Sequence, residues 1–177
     1  MSDASVPGPA PEETSADAEL RVLLVCLGNI CRSPTAEAAV REALAEAGLE
    51  DRVAVDSAGT GSWHIGNPPD PRMREAAAAD GLHLEGAARQ VTVDDFAHFD
   101  LLLAMDRSNA HDLLELAPDE QARAKIRLFR EFDPDAVGDE VPDPYYGGEE
   151  GFRRVVEICR AGAAGLVAHL EAELDAR

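Results

Sequence analysis

The sequence predicts an α/β fold: a single three-layer domain, with a four-stranded parallel sheet flanked by helices on both faces. Three observations carry this. Short continuous apolar runs recur at 22–25, 53–55 and 101–105, each of strand length and too apolar throughout for a half-exposed strand. Each run is followed by a stretch with helical spacing, and strand–helix alternation implies parallel pairing with covered faces. The chain has 177 residues, of which 45% are hydrophobic, enough for one core. No internal repeat or second domain is visible. In such a sheet the ligand site lies at the carboxyl ends of the strands. Cys26, Ser57 and Asp106 stand at those ends.

Taken in order, residues 1–19 contain Pro7, Pro9 and Pro11, five acidic residues and no Lys or Arg. They are expected to form a disordered acidic tail, with the folded domain spanning 20–177. Val22 to Val25 form the first strand. Ser33 is expected to be the N-cap of the following helix, with Pro34 at its first position. Ala36, Ala39, Val40, Ala43, Leu44 and Ala47 recur at helical spacing, and Gly48 suits the stop. A second strand covers 53–55, and a long loop over 61–70 carries Trp63 and His64. An alanine-rich helix at 72–79 is closed by Gly81, and a helical turn is expected at 92–96. The third strand, at 100–105, leads into a helix over 106–116. Residues 125–129 alternate more and read as an edge strand. Residues 132–148 read as a loop rich in Pro, Asp and Gly. A last helix, 150–174, lines one face with Phe152, Val155, Val156, Cys159, Ala163, Leu166, Val167 and Leu170.

The informative stretch is Cys26-Leu27-Gly28-Asn29-Ile30-Cys31-Arg32-Ser33-Pro34, a tight loop between the first strand and the first helix. A loop closing onto a helix N-terminus points several backbone N–H groups into one concavity, which favours an anion. Arg32 adds a planar fork of donors for two phosphate oxygens. The same positive field is expected to lower the pKa of Cys26, whose thiolate is the nucleophile. Gly28 and Asn29 tolerate left-handed backbone. Ser33 can donate a hydrogen bond to the Cys26 sulfur. A bare Cys-x5-Arg is more often a buried strand-end cysteine beside a surface arginine. The flanking strand and helix and the internal Gly-Asn favour a phosphate-binding loop.

Such a nucleophile needs a proton donor for the leaving oxygen. Asp143, on a loop stiffened by Pro142 and Pro144, is the candidate. On residues alone it reads equally well as a turn aspartate before proline.

The 26–34 stretch closely resembles the signature of the low-molecular-weight protein tyrosine phosphatases. Asp143-Pro144-Tyr145-Tyr146, Gly66-Asn67-Pro68-Pro69-Asp70-Pro71-Arg72, Ala88-Arg89-Gln90 and Ala104-Met105-Asp106-Arg107-Ser108-Asn109 look like family segments in family order. The resemblance implies hydrolysis of phosphotyrosine through a cysteinyl-phosphate, with no cofactor or metal. It implies Cys26 as nucleophile, Asp143 as general acid, and Arg32 with the backbone of Leu27, Gly28, Asn29, Ile30 and Cys31 around the phosphate. Asn29 and Ser57 resemble a pair that holds the loop in shape, and Asp106 matches an aspartate at the third strand's end, where the plain reading is a helix N-cap. Trp63, Tyr145 and Tyr146 are implied to wall the crevice around a substrate ring. Cys31, five residues from Cys26 across the curled loop, is a redox partner for it or simply fills space behind the loop. His64 reads as a surface histidine and Cys159 as core.

Two related chemistries compete. Arsenate reductases of this fold relay a disulfide through further cysteines, and 81–100 holds none. Arginine-phosphate phosphatases carry Thr where this chain has Ile30. A binding module without turnover would have lost the cysteine, arginine or aspartate, and all are present. The net charge of -19 argues against nucleic acid or an anionic membrane as partner. Three cysteines do not make a secreted disulfide framework. The expectation is a cytoplasmic monomer acting on phosphotyrosine-containing proteins.

Overall fold

The computed structural model describes residues 18–145 and 147–177. The tail expected at 1–19 therefore lies, up to residue 17, outside the described residues. The backbone is already tied at Glu19, whose N–H donates to the Arg52 carbonyl at 2.7 Å.

The strands β1 (Leu20–Cys26), β2 (Val53–Gly59), β3 (Leu101–Ala104) and β4 (Ile126–Leu128) form one sheet of order β2-β1-β3-β4. Every neighbouring pair is parallel. β1 is central, so it is buried on both faces, which explains its unbroken apolar run. Val22 and Leu24 point to one face, with Leu20 and Cys26. Leu23 and Val25 point to the other. β4 is the edge, as its alternation predicted, and its residues are only half-buried.

The first face is covered by α1 (Arg32–Glu46), α2 (Pro71–Ala79) and α6 (Glu149–Asp175). The second carries α3 (Asp95–His98), α4 (Arg107–Leu116) and α5 (Glu120–Arg123), around Phe96, Phe99 and Leu113. Gly48 and Gly81 end α1 and α2 with φ of 72° and 84°, the left-handed stop that glycine accepts freely.

Three local expectations are corrected. The N-cap of α1 is Cys31, without a side-chain cap bond, and Ser33 lies inside the helix. Its hydroxyl is engaged by the loop instead. β4 ends at Leu128, because Phe129 turns inward through a 3-10 turn (Phe129–Phe132) that buries both phenylalanines. α5, not anticipated, is a single turn started by Asp119, whose side chain accepts the Ala122 N–H.

Candidate active site

β1 delivers Cys26 to the carboxyl edge of the sheet, and the chain curls through 27–31 before α1 begins. Asn29 is the pin of that curl. Its φ of 58° makes it the one non-glycine residue with left-handed backbone among those described. This directs the Asn29 N–H onto Cys26 Sγ at 3.2 Å. Gly28, expected to share the left-handed conformation, does not use it. Its value is steric, since a Cβ there would stand 2.9 Å from His64 Cδ2.

The Asn29 side chain is fully used. Nδ2 donates to Ser33 Oγ at 2.8 Å and to Ser57 Oγ at 3.1 Å, and Oδ1 accepts the Arg89 N–H at 3.0 Å. Ser57 in turn donates to Glu37 Oε1 at 2.6 Å. Ser33 Oγ, which accepts from Asn29, lies 3.0 Å from Cys26 Sγ, and its proton can be given to that sulfur when Cys26 is a thiolate, which has no proton of its own to donate. One side chain thereby orders two hydroxyls, and one of these faces the sulfur.

Arg32 is buried beneath the loop. Nη1 donates to Asp106 Oδ2 at 2.6 Å and to the Val141 carbonyl at 3.1 Å. Burial opposes its charge, but Cys26, Asp106 and Asp143 outweigh that and hold its pKa above the usual value. Asp106 is the N-cap of α4, as its plain reading had it, with Oδ1 accepting the Asn109 N–H at 2.8 Å, and its Oδ2 accepts from Arg32 Nη1, a contact the sequence did not indicate. Asp143 makes two contacts. Its Oδ1 accepts the Tyr145 N–H at 3.0 Å, the turn role, while Oδ2 lies 3.6 Å from Arg32 Nη2.

These groups sit in a crevice of about 430 Å³. Cys26, Cys31 and Arg32 lie at its inner end, and Leu27, Ile30, Trp63 and Tyr145 add apolar wall. Trp63 is 74% exposed, standing at the mouth. His64, read from sequence as a surface residue, also lines the crevice, its ring 6.1 Å from that of Tyr145. Tyr146 lies outside the described residues. The Cys31 thiol is buried, and burial, with Asp70 and Cys26 nearby, pushes its pKa up to about 12. Burial also pushes up the Cys159 thiol, which lies in the core with Sγ 3.9 Å from the Arg32 carbonyl. All three cysteines are free. Among the described residues no group of three or more His, Cys, Asp or Glu could hold a metal ion.

Sequence reasoning missed the residues behind the loop. Glu37 is a carboxylate whose pKa burial raises, held by Ser57 and by Arg41 Nη2 at 2.6 Å. An acid one turn after Ser33, beside the buried residues of an alanine-rich helix, was the available signal. Arg89 holds Asp56 and Asp95, each at 3.1 Å, while its backbone serves Asn29. The sequence marked that arginine only as part of the family-like Ala88-Arg89-Gln90 segment, with no role attached.

Known proteins are similar to this chain in sequence and fold. Residues 21–176 match the family model described as low molecular weight phosphotyrosine protein phosphatase. A low molecular weight protein-tyrosine-phosphatase of Streptomyces coelicolor is 45% identical over 159 residues, 89% of this chain and 97% of that protein. A crystal structure of a protein tyrosine phosphatase from Entamoeba histolytica, with Hepes in its active site, superposes with a TM-score of 0.84 at 42% identity. It covers 87% of this chain and 98% of its own. Wzb of Vibrio vulnificus, solved in complex with benzylphosphonate, gives a TM-score of 0.74 at 29% identity, covering 86% and 99%. With the family model matching residues 21–176 and relatives of this identity covering most of the chain, the chain belongs to the low molecular weight phosphotyrosine protein phosphatase family.

Proposed function

We propose that this chain is a protein-tyrosine phosphatase, hydrolysing phosphotyrosine in proteins and small aryl phosphates through a cysteinyl-phosphate. The observation that carries the reading is the Cys26 sulfur at the inner end of the crevice. It accepts the Asn29 N–H and faces the Ser33 hydroxyl, above the N-terminus of α1 and the buried Arg32.

In the first step the Cys26 thiolate attacks phosphorus and the P–O bond to the tyrosyl oxygen breaks. Arg32 and the loop N–H groups hold the three equatorial oxygens, where charge is spread in the transition state. Asp143, at the same crevice, gives its proton to the departing oxygen. In the second step Asp143 takes a proton from water, which attacks phosphorus and releases phosphate and the thiolate. Ser33 steadies the sulfur as nucleophile and leaving group. Asp106 and Val141 fix the guanidinium, while Asn29, Ser57 and Glu37 keep the loop curled. The reading needs no cofactor, and every group comes from one chain, which fits a monomer.

Ile30, Trp63 and Tyr145 make the crevice apolar, favouring a flat ring over a guanidino phosphate. Tyr146 is assigned to the same wall by resemblance. A phosphoserine stem is too short to bring phosphorus to a sulfur at the inner end of the crevice. With purified full-length protein, matched phosphotyrosine peptides should be hydrolysed far faster than phosphoserine ones, unaffected by chelators. Cys26→Ser should be inactive, and Asp143→Ala should lose about 10²–10⁴-fold in rate, the usual contribution of a positioned acid–base group. Equal rates on the two peptides, or an active Cys26→Ser enzyme, would overturn the reading.

Free thiols at the site suit a reducing compartment, so we place the enzyme in the cytoplasm. Peroxide would oxidise Cys26 to a sulfenic acid, and the Cys31 thiol would displace water from it to give a Cys26–Cys31 disulfide. Peroxide-treated wild type should therefore recover with thiol, while Cys31→Ser should not. Mass spectrometry showing Cys26 joined to Cys159, or no disulfide, would leave Cys31 as packing only.

A further inference from the structure

Arg72, on the first turn of α2, is half-exposed and takes no part in the crevice wall. It is nonetheless held on two sides. Asp70, the N-cap of α2, accepts the Arg72 backbone N–H at 2.8 Å, Nε at 3.2 Å and Nη2 at 3.0 Å. These bonds lock the plane of the guanidinium. Its carbon then lies 5.4 Å from the ring centroid of Tyr145 and 4.8 Å from that of Phe152, within range of cation–π attraction to both.

Each end of this contact leads into the site. Asp70 is itself buried, and its N–H donates to the Ile30 carbonyl, in the middle of the phosphate loop, at 2.9 Å. At the other end the Tyr145 N–H donates to Asp143 Oδ1 at 3.0 Å. A continuous strut thus runs from Ile30 through Asp70, Arg72 and Tyr145 to Asp143. The Asp143 side chain is 45% exposed, and its ion pair with Arg32 is long, at 3.6 Å. Its turn sits on a loop, whereas Asp70 and Arg72 sit at the start of a helix packed into the core.

We propose that Arg72 is a positioning residue for proton transfer, holding Tyr145, and through it the Asp143 carboxyl, in register with the phosphate loop. The inference rests on Asp143 being the general acid. The competing role is purely structural. In that role the Arg72–Asp70 pair, with its arginine half-exposed and its aspartate buried, and packing between α2 and α6 would change stability while leaving the chemistry of bound substrate alike for every ester.

The test compares two aryl esters on the full chain. Phenyl phosphate has a basic leaving oxygen that needs the acid, whereas 2,4-dinitrophenyl phosphate leaves without it. In Arg72→Met, kcat/KM for phenyl phosphate should fall on the order of ten-fold, a part of the ~10²–10⁴-fold an acid supplies. The dinitrophenyl ester should be nearly unaffected, and inhibition by inorganic phosphate unchanged. In an Asp143→Ala background the same substitution should cost nothing further, because both changes remove one function. Arg72→Lys, which keeps a cation near the rings but loses the fork to Asp70, should fall between and serves if Arg72→Met folds poorly. An equal fall on both esters, weaker phosphate inhibition in parallel, no fall at all, or additivity with Asp143→Ala would each overturn the proposal. If Asp143→Ala alone does not discriminate between the esters, the general-acid reading fails and the inference with it. If Asp143→Ala discriminates and the Arg72 variants do not, only the inference fails.

Discussion

At the scale of single residues, Asn29 carries more of the site than its chemistry would suggest. Its backbone takes the left-handed conformation that points the N–H at Cys26, and its side chain makes three hydrogen bonds, two buried and one part-buried. Asn29→Ala would leave the Arg89 N–H without its acceptor and both hydroxyls without their donor. Each orphaned buried group costs about 1–3 kcal/mol, and a left-handed alanine costs roughly 1–2 kcal/mol more. We expect a loss of several kcal/mol in stability by denaturant titration, together with slowed turnover. Asn29→Gly separates the two causes. It should regain the backbone part of the stability but not the rate, because the Ser33 proton is no longer directed at the sulfur. Full activity in Asn29→Gly would mean that the loop keeps its shape without the side chain.

At the scale of elements, the site depends on a crossing far from it. The α6 helix spans 27 residues and lies against α1 and the 3-10 turn that follows β4. Two of its glycines make room. A Cβ at Gly162 would come within 2.5 Å of the Phe129 ring, and one at Gly165 would collide with the Phe132 carbonyl oxygen. Glycine inside a helix is unfavourable by about 1 kcal/mol relative to alanine. Gly165→Ala should therefore stabilise an isolated helix. Here the obstacle is backbone that cannot rotate away, so the substitution should instead destabilise the protein by about 1–3 kcal/mol, read as a lowered Tm. A raised Tm would show that α6 can shift outward. The 3-10 turn leads into the loop bearing Val141 and Asp143, so this close crossing also sets where that loop starts.

At the scale of the whole molecule, the charge balance opposes the substrate. The chain carries a net charge of -19, yet the site proposed to take the phosphate has one buried arginine, Arg32, as its cation. The attraction is short in range, whereas the acidic surface acts over a Debye length of about 8–10 Å. Approaching peptides should feel the surface before the loop. Phosphotyrosine peptides flanked by lysines should show higher kcat/KM than matched peptides flanked by aspartates, and the gap should narrow as salt is raised. Para-nitrophenyl phosphate, with no flanks, provides the baseline. A preference for acidic flanks would mean that the local field around the crevice dominates.

The amino-acid sequence by itself determined the sheet, the position of the loop and the residue types proposed to meet phosphate. Those features rest on local rules: apolar runs make strands, helical spacing makes helices, and a strand–loop–helix junction gathers N–H groups. It also placed Cys26, Arg32 and Asp143 in the order of a known family. Tertiary structure decided which of several permitted partners each polar group took. Ser33 obeys the local rule for an N-cap in sequence but not in space, because it lies inside α1 with its hydroxyl against Cys26 Sγ and Asn29 Nδ2. Arg32 selects Asp106 and the Val141 carbonyl, 74 and 109 residues away. Glu37 becomes part of the loop's support only once β2 brings Ser57 alongside α1. His64 enters the crevice wall, and Arg72 reaches Tyr145, only after chain segments far apart in sequence have packed. Local propensity depends on a few neighbouring residues and can be read along the chain. A buried polar group instead pairs with whatever the packed core places within hydrogen-bond reach, and that distance exists only in the folded molecule.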